Sequence, residues 1–419
     1  MAQVLDLEAC LQTTSLFHYW LHALESVWLT LFAKCFTVPC TLVFVLEGER
    51  EAAVGLKPRA CDLNWQQKLP LSFQKTPFLD CYSLSGLSRK RLALERSNPS
   101  HSFGAKDPST QALDFVVAIA SRDLSRAQQY AKIHGIPKAY GSYAELAEDG
   151  GVDVVHIGVV NPYHLPTSLL FIQAGKNVLC EKPLGMNTAE VKALVQAARQ
   201  KNVFFMEGLW TRFFPASEKI RSLLSQGSLG DVMVLHAEFG SPQLSIPRCV
   251  EKELGGGGLL DIGCYCIQFA CMVFNGEKPE SILASGFLHD TGVDKTVSVI
   301  LNYSGNRQAV LTCTMTARMP NRASINGTKG MIEIPSHFWC PTELVVNRER
   351  EEFPLPPPSQ KMHFQNSTGL RYEAEHVRQC LLKGLKESPI LTHADSELVN
   401  SILEEARRQV GVFYPQDKV

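Results

Sequence analysis

Between residues 114 and 206, short apolar runs alternate with longer amphipathic stretches, and that rhythm admits few folds. The runs 115–120, 152–160, 177–180 and 203–206 are dense in Val, Ile, Leu and Phe. They suit buried strands and are short for helices. Between them, 124–134, 166–174 and 188–201 carry apolar residues at helical spacing. Parallel strands cannot be joined by hairpins, so this alternation predicts an α/β architecture, a doubly wound parallel sheet of Rossmann type with helices on both faces. Ligands in such a sheet sit beyond the carboxyl ends of the strands.

After about 230 the pattern changes. The pieces 232–238, 281–288, 296–303, 308–316 and 344–347 are strand-like, and turn signals at 304–306 and 326–328 separate some of them. An antiparallel sheet is expected, with one face exposed or paired, closed by two helices at 372–386 and 394–414. Three regions follow: an irregular segment 1–112 ending in a linker-like stretch at 97–110, a strand–helix unit 113–209, and a sheet-rich unit 210–419. The 419 residues leave room for both domains to build cores.

A net charge of −1 supplies no broad basic field, which argues against nucleic acid or an anionic membrane as partner. The apolar segment 27–46 is broken by Lys34 and Pro39, so a helix followed by a buried strand is expected there and not a membrane span. No other stretch is expected to span. The basic triplet Arg89, Lys90 and Arg91 reads as a solvated helix face. Thirteen cysteines, an odd number without a CxxC pair, read as reduced thiols of a cytoplasmic protein. Cys264, Cys266 and Cys271 fit one helix better than a metal site, and no metal is expected.

Three residues carry the chemistry. Oxidising a secondary alcohol requires a base for the hydroxyl proton and a cation that lowers the pKa of that base. Tyr265 is the candidate base and Lys182 the cation. Asp261, four residues before Tyr265, shares its face if the stretch is helical and positions the alcohol. The glycines 255–258 read as a flexible entry to that helix. At the end of the first regular strand Ser121 stands where an acidic residue would select NAD, and Arg122 and Arg126 follow. Two guanidiniums suit a 2′-phosphate, so NADP is expected. The loop with Asn161 and His164 should line the crevice, and His156 could reach it from its strand.

Glu181-Lys182-Pro183, the His164 loop, the 207–215 stretch with Trp210, and Asp261 with Tyr265 together resemble the Gfo/Idh/MocA oxidoreductases. Further matches are 139–143, 291–294, 327–330, 339–343 and the tail 413–418; the resemblance spans about 114–418. It implies that Lys182, Tyr265 and Asp261 are catalytic. It also implies that Glu181, Lys182 and Pro183 border the dinucleotide together with Arg122, Arg126, His156, Asn161 and His164. Trp210 and Phe239 would form an apolar wall for the substrate. The implied reactions are NADP-dependent oxidation of aromatic trans-dihydrodiols and of D-xylose-like aldoses by a homodimer joined through the second sheet. The departure lies in 1–112, which lacks the family's glycine-rich loop. The nearest imitation, 41–46 running into Glu47, Gly48 and Glu49, would set two carboxylates against a pyrophosphate, the wrong sign. The central strand of the sheet is therefore expected to be missing, leaving two neighbouring edges bare, as an alternative first exon or an erroneous gene prediction would produce. A chain that lost cofactor binding and serves only as a dimerising partner is the competing expectation.

Overall fold

A computed structural model describes residues 42–46, 116–358 and 365–418 of the chain. The first sheet holds six strands: β1 (Leu42–Leu46), β2 (Val116–Ala120), β3 (Ala139–Tyr140), β4 (Val154–Gly158), β5 (Asn177–Glu181) and β6 (Phe205–Gly208). Their order is β3-β2-β1-β4-β5-β6 and all pairings are parallel. The expectation of a missing central strand is overturned here. β1 occupies that place, with Val43 opposite both Ala118 and Val155, so the edges of β2 and β4 are paired. The remainder of 1–112, including Glu47, Gly48, Glu49, the basic triplet and the linker, lies outside the described residues.

Helices α1 (Leu124–His134), α2 (Tyr143–Ala147), α3 (His164–Gln173) and α4 (Thr188–Lys201) accompany this sheet. Local chemistry sets their ends. Asp123 caps α1 by accepting from the N–H of Ser125 and Arg126, and Gly135 ends it at φ 68°. Asn187 caps α4 and Asn202 terminates it in the left-handed region.

The second domain adds α5 (Pro215–Ser225), β7 (Val232–Gly240), α6 (Pro247–Val250), a wide π-helical turn at Leu259–Gly263, and α7 (Cys264–Val273). β8 (Ser281–Leu288), β9 (Asp294–Tyr303), β10 (Arg307–Thr314), β11 (Ala323–Gly327), β12 (Met331–Ile334), β13 (Glu343–Val346) and β14 (Glu349–Glu352) follow. The eight strands run β14-β13-β12-β11-β7-β10-β9-β8. Every pairing is antiparallel except β7 with β10, which is parallel. The chain leaves β7 for α6, α7 and β8–β9 before returning, so those two strands meet without a hairpin.

Residues 252–273 include an 18-residue window long and apolar enough to cross a membrane, contrary to the expectation for that stretch, yet that window is wholly buried in the core of this domain. α7 lies against β7 and β10. Along β8 exposed residues recur at every second position, and Leu283 and Phe287 point to solvent. Helices α8 (Leu370–Leu382) and α9 (His393–Val410) close the chain, and α9 packs on α4, on α7 and on β8, tying the two domains together.

Glu373 in α8 is fully buried, and neither carboxyl oxygen has a hydrogen-bond partner among the described residues. Burial, reinforced by Glu181 and Glu207, pushes its pKa well above the usual carboxylate range. An acid whose folded pKa is raised contributes most below its unfolded pKa, and that contribution is lost as pH rises toward the folded pKa. Glu373→Met is therefore expected to stabilise the fold by about 1–3 kcal/mol at pH 8 and by less at pH 5. Urea midpoints at the two pH values check this.

Candidate active site

The candidate site forms where the loop after β5 meets the turn that opens α7. Lys182 follows directly on β5, and its backbone is held at three successive residues. Lys182 N–H donates to Glu181 Oε2 at 3.3 Å, His164 Nδ1 faces the Pro183 carbonyl at 2.8 Å, and Leu184 N–H donates to Glu207 Oε1 at 3.0 Å. The Lys182 ammonium donates to the Asp261 carbonyl at 2.6 Å and to Asp261 Oδ1 at 3.3 Å. It also stands 4.9 Å from the centroid of the Tyr265 ring. Lys182, Asp261 and Tyr265 are thus one cluster, although 79 residues separate the first two.

Electrostatics inside the cluster are strong. Burial acts to raise the Asp261 pKa, but the Arg248 guanidinium and the Lys182 ammonium overcome it and hold the carboxyl well below the usual range. Burial opposes the Lys182 charge, yet the Tyr265 phenol and Asp261 keep that amine above its ordinary value. Tyr265 departs from expectation. Burial pushes its phenol above the ordinary value, and the pull of Lys182 does not overturn the shift. The reason is geometric: the ammonium donates to Asp261 and meets Tyr265 over its ring.

An aromatic wall borders the phenol. Trp210 Nε1 donates to Tyr265 Oη at 3.1 Å, and the Phe239 ring lies 5.9 Å from that of Tyr265. Phe239 also stacks on Trp339, with centroids 3.7 Å apart and planes 8° from parallel.

The remaining expected residues occupy the crevice in different ways. Arg122 is exposed, its guanidinium 5.6 Å from the Tyr163 ring centroid, and Arg126 lies half-buried at the start of α1. Asp123 is engaged with the N-terminus of α1, where the Ser125 hydroxyl in particular lowers its pKa. His156 is buried and its Nε2 faces Glu181 Oε1 at 3.2 Å. His164 is fully buried, with Nε2 2.9 Å from the Val159 carbonyl in addition to its contact at Pro183. Both partners are acceptors, so the neutral ring donates to one of them at a time. Burial lowers its pKa although the carbonyls pull the other way. Its effect on the crevice passes through the loop that it holds. Asn161 Nδ2 donates to the Gly255 carbonyl at 3.0 Å, joining the crevice loop to the second domain.

The glycine run is packed and not free. Gly255 has φ +71°, and a Cβ there would lie 2.9 Å from both Asn161 and Pro162. Gly257 has φ +138°, and a Cβ would meet Asp294 Oδ1 and the Tyr414 hydroxyl at 2.7 Å. At Gly255 only glycine allows the two domains this approach, and at Gly257 only glycine admits Asp294 and Tyr414 within the second domain. The turn is then held from two sides. Asp294 Oδ2 accepts from Leu259 N–H at 2.6 Å, burial pushing that carboxyl up to about 6, and the Tyr414 hydroxyl donates to the Gly256 carbonyl. The tail carrying Tyr414 is fastened by Arg407, which bonds Asp417 at 2.6 Å and the Met186 carbonyl at 3.1 Å, and by Asn187 Nδ2 to the Gln416 carbonyl at 2.9 Å. Tyr414→Phe should leave the Gly256 carbonyl unpaired. A loss of about 1–2 kcal/mol in stability and a several-fold fall in kcat with unchanged KM are expected from denaturation and steady-state kinetics.

Sequence reasoning missed Arg248, whose Nη1 donates to Asp261 Oδ1 at 3.0 Å, and Cys249, whose thiol lies 3.6 Å from Oδ2. A lone arginine in a loop carries no spacing signal. Trp339, Asp294 and Tyr414 lay inside recognised motifs, but nothing local indicated their roles. Among the described residues no group of three or more His, Cys, Asp or Glu is placed to hold a metal ion, and the eight described cysteines are free and buried.

Residues 98–209 match the model described as oxidoreductase family, NAD-binding Rossmann fold, and residues 217–333 match the GFO/IDH/MocA C-terminal domain. A trans-1,2-dihydrobenzene-1,2-diol dehydrogenase from Xenopus laevis is 60% identical over 300 residues, 72% of this chain and 91% of that protein. The chain belongs to the Gfo/Idh/MocA family and is an oxidoreductase. Its fold is shared by a 3-ketoreductase from Actinomadura kijaniata in complex with NADP and TDP-benzene (TM-score 0.59, 23% identity, 70% of this chain and 89% of that one). A levoglucosan dehydrogenase in complex with NADH and levoglucosan shares it too (TM-score 0.60, 20% identity, 69% and 87%).

Proposed function

We propose that the chain oxidises trans-1,2-dihydrodiols of aromatic rings, and D-xylose to its lactone, with NADP+ as acceptor. The observation that carries this reading is the Lys182–Asp261–Tyr265 cluster set against the aromatic wall of Trp210, Phe239 and Trp339. A flat apolar ring bearing hydroxyls suits such a wall. The names of the relatives support the substrate class.

The crevice residues fit a phosphorylated dinucleotide. Ser121 offers no carboxylate, Asp123 is engaged in capping, and Arg122 is exposed at the end of β2. Arg122 and Arg126 would hold a 2′-phosphate, and the 181–183 loop with Asn161 would border the nicotinamide end. A bound nicotinamide supplies the hydride acceptor. Tyr265 Oη takes the proton of the reacting hydroxyl. Lys182 stabilises the phenolate before it accepts that proton and becomes the neutral phenol, and stabilises the negative charge that develops on the substrate oxygen. Asp261 keeps Lys182 protonated and aimed at the site. The aromatic wall excludes water from the face where charge develops.

Titration of the full chain with NADP+ tests the reading, followed by assay with trans-1,2-dihydrobenzene-1,2-diol. Binding without turnover of diol or xylose would refute the substrate class. Absence of binding by the folded chain would leave the non-catalytic, dimerising alternative. Arg122→Ala is expected to raise the KM for NADP+ about tenfold or more while leaving that for NAD+ nearly unchanged, as loss of a charge-assisted bond to phosphate requires. A homodimer joined through the exposed face of the second sheet, where Leu283 and Phe287 project, is part of the proposal, as is a cytoplasmic location suited to buried free thiols.

A further inference from the structure

We infer that Arg248 is a specificity-determining residue that binds the second, non-reacting hydroxyl of a vicinal diol. The inference rests on the proposed diol oxidation and adds a subsite to it. Arg248 enters from α6, in the loop between β7 and the catalytic turn, and its guanidinium meets Asp261 Oδ1 at 3.0 Å. Among the described residues this is the one hydrogen bond its side chain makes, and 23% of that side chain remains exposed. A guanidinium carries five N–H donors in a rigid plane, so donors remain beside the site.

Asp261 is nearly used up. Oδ1 already accepts from Lys182 and Arg248, and among the described residues Oδ2 has only the weak thiol donor of Cys249. A strong donor can still be taken at Oδ2. The pair therefore offers an accepting carboxylate oxygen next to free guanidinium donors. A hydroxyl needs that combination, because it both donates and accepts. The reacting oxygen belongs to Tyr265 and Lys182, and Lys182 and Arg248 share Asp261 Oδ1. Two oxygens on adjacent carbons can thus be held at once, with the ring against Phe239 and Trp339. A substrate with one oxygen leaves the Arg248–Asp261 subsite without its ligand, and that loss sets the discrimination.

Calorimetric titration of the NADPH-loaded full chain with catechol and with phenol tests this without turnover. Catechol is expected to bind about tenfold tighter than phenol. Arg248→Met should abolish that preference while phenol affinity stays within about twofold. Arg248→Lys keeps a cation beside Asp261, so it reports even if the methionine variant fails to fold. Its catechol preference is expected to fall because the fork is lost. Absence of a catechol preference in the unsubstituted chain, or equal weakening of both ligands in a folded variant, would overturn the inference. A preserved, Arg248-dependent preference in a chain that fails to oxidise the dihydrodiol would instead refute the proposed function and leave the subsite standing.

Discussion

Tyr265→Phe is expected to lower kcat for diol oxidation by about 10²–10⁴-fold, the span associated with loss of a positioned general base. The ring stays, so its contacts with Lys182 and Phe239 persist, and KM for substrate and cofactor should change little. The hydrogen bond from the Trp210 indole N–H to Tyr265 Oη is lost, which should cost about 1–3 kcal/mol in stability without unfolding the chain. The sign of the pH dependence follows from burial, which raises the phenol above its ordinary value. Oxidation needs the proton-free form, so kcat/KM should climb through pH 7–9 without a plateau. Carbonyl reduction needs the protonated form and should be flat over the same range. The phenylalanine variant should lose the slope along with the rate. Undiminished turnover, or an oxidation profile that levels off near neutrality, would remove Tyr265 from this role.

The second large effect concerns stability. Asp261 lies between Lys182 and Arg248, and the side chains of all three are mostly buried. Asp261→Ala leaves two cations facing each other with no compensating charge. Removing one partner of a buried ion pair costs about 3–5 kcal/mol, and the partial exposure of Arg248 places the expected loss near the lower end. Because the folded pKa of Asp261 is depressed, its contribution is present above the unfolded carboxyl pKa and is lost as pH falls through the folded value. The destabilisation measured by urea unfolding should thus be constant from pH 6 to 9. Adding Lys182→Met to Asp261→Ala should restore part of the lost stability, since it removes one of the two uncompensated charges. Strict additivity of the two substitutions would show that the charges are not coupled.

How much of this was readable beforehand varies with the range of the interaction. α1 and α4 run over the residues that their periodicity predicts, because Asp123, Gly135, Asn187 and Asn202 write both ends locally. Strands 281–288 and 177–181 were equally legible from their composition. The two-residue β3 and the short β11, β12 and β14 were not, since they exist through pairing with neighbours and carry little pattern of their own. The parallel contact of β7 with β10 also escaped, because strand direction in a sheet depends on the path of the chain between strands.

The sequence by itself determined the alternation of strands and helices over 115–206, the helix caps, and the presence of a lysine, an aspartate and a tyrosine fit for alcohol oxidation. These are properties of single residues and of near neighbours. Tertiary structure decided what long-range contact alone can decide. It seated Leu42–Leu46 between β2 and β4, took the Lys182 hydrogen bonds away from the phenol and gave them to Asp261, and brought Arg248 to the same carboxylate. It also turned an apparently flexible glycine run into the packed seat for Tyr414 and Asp294. Burial, charge pairing and close approach depend on which surfaces meet, and that depends on the whole chain folding at once.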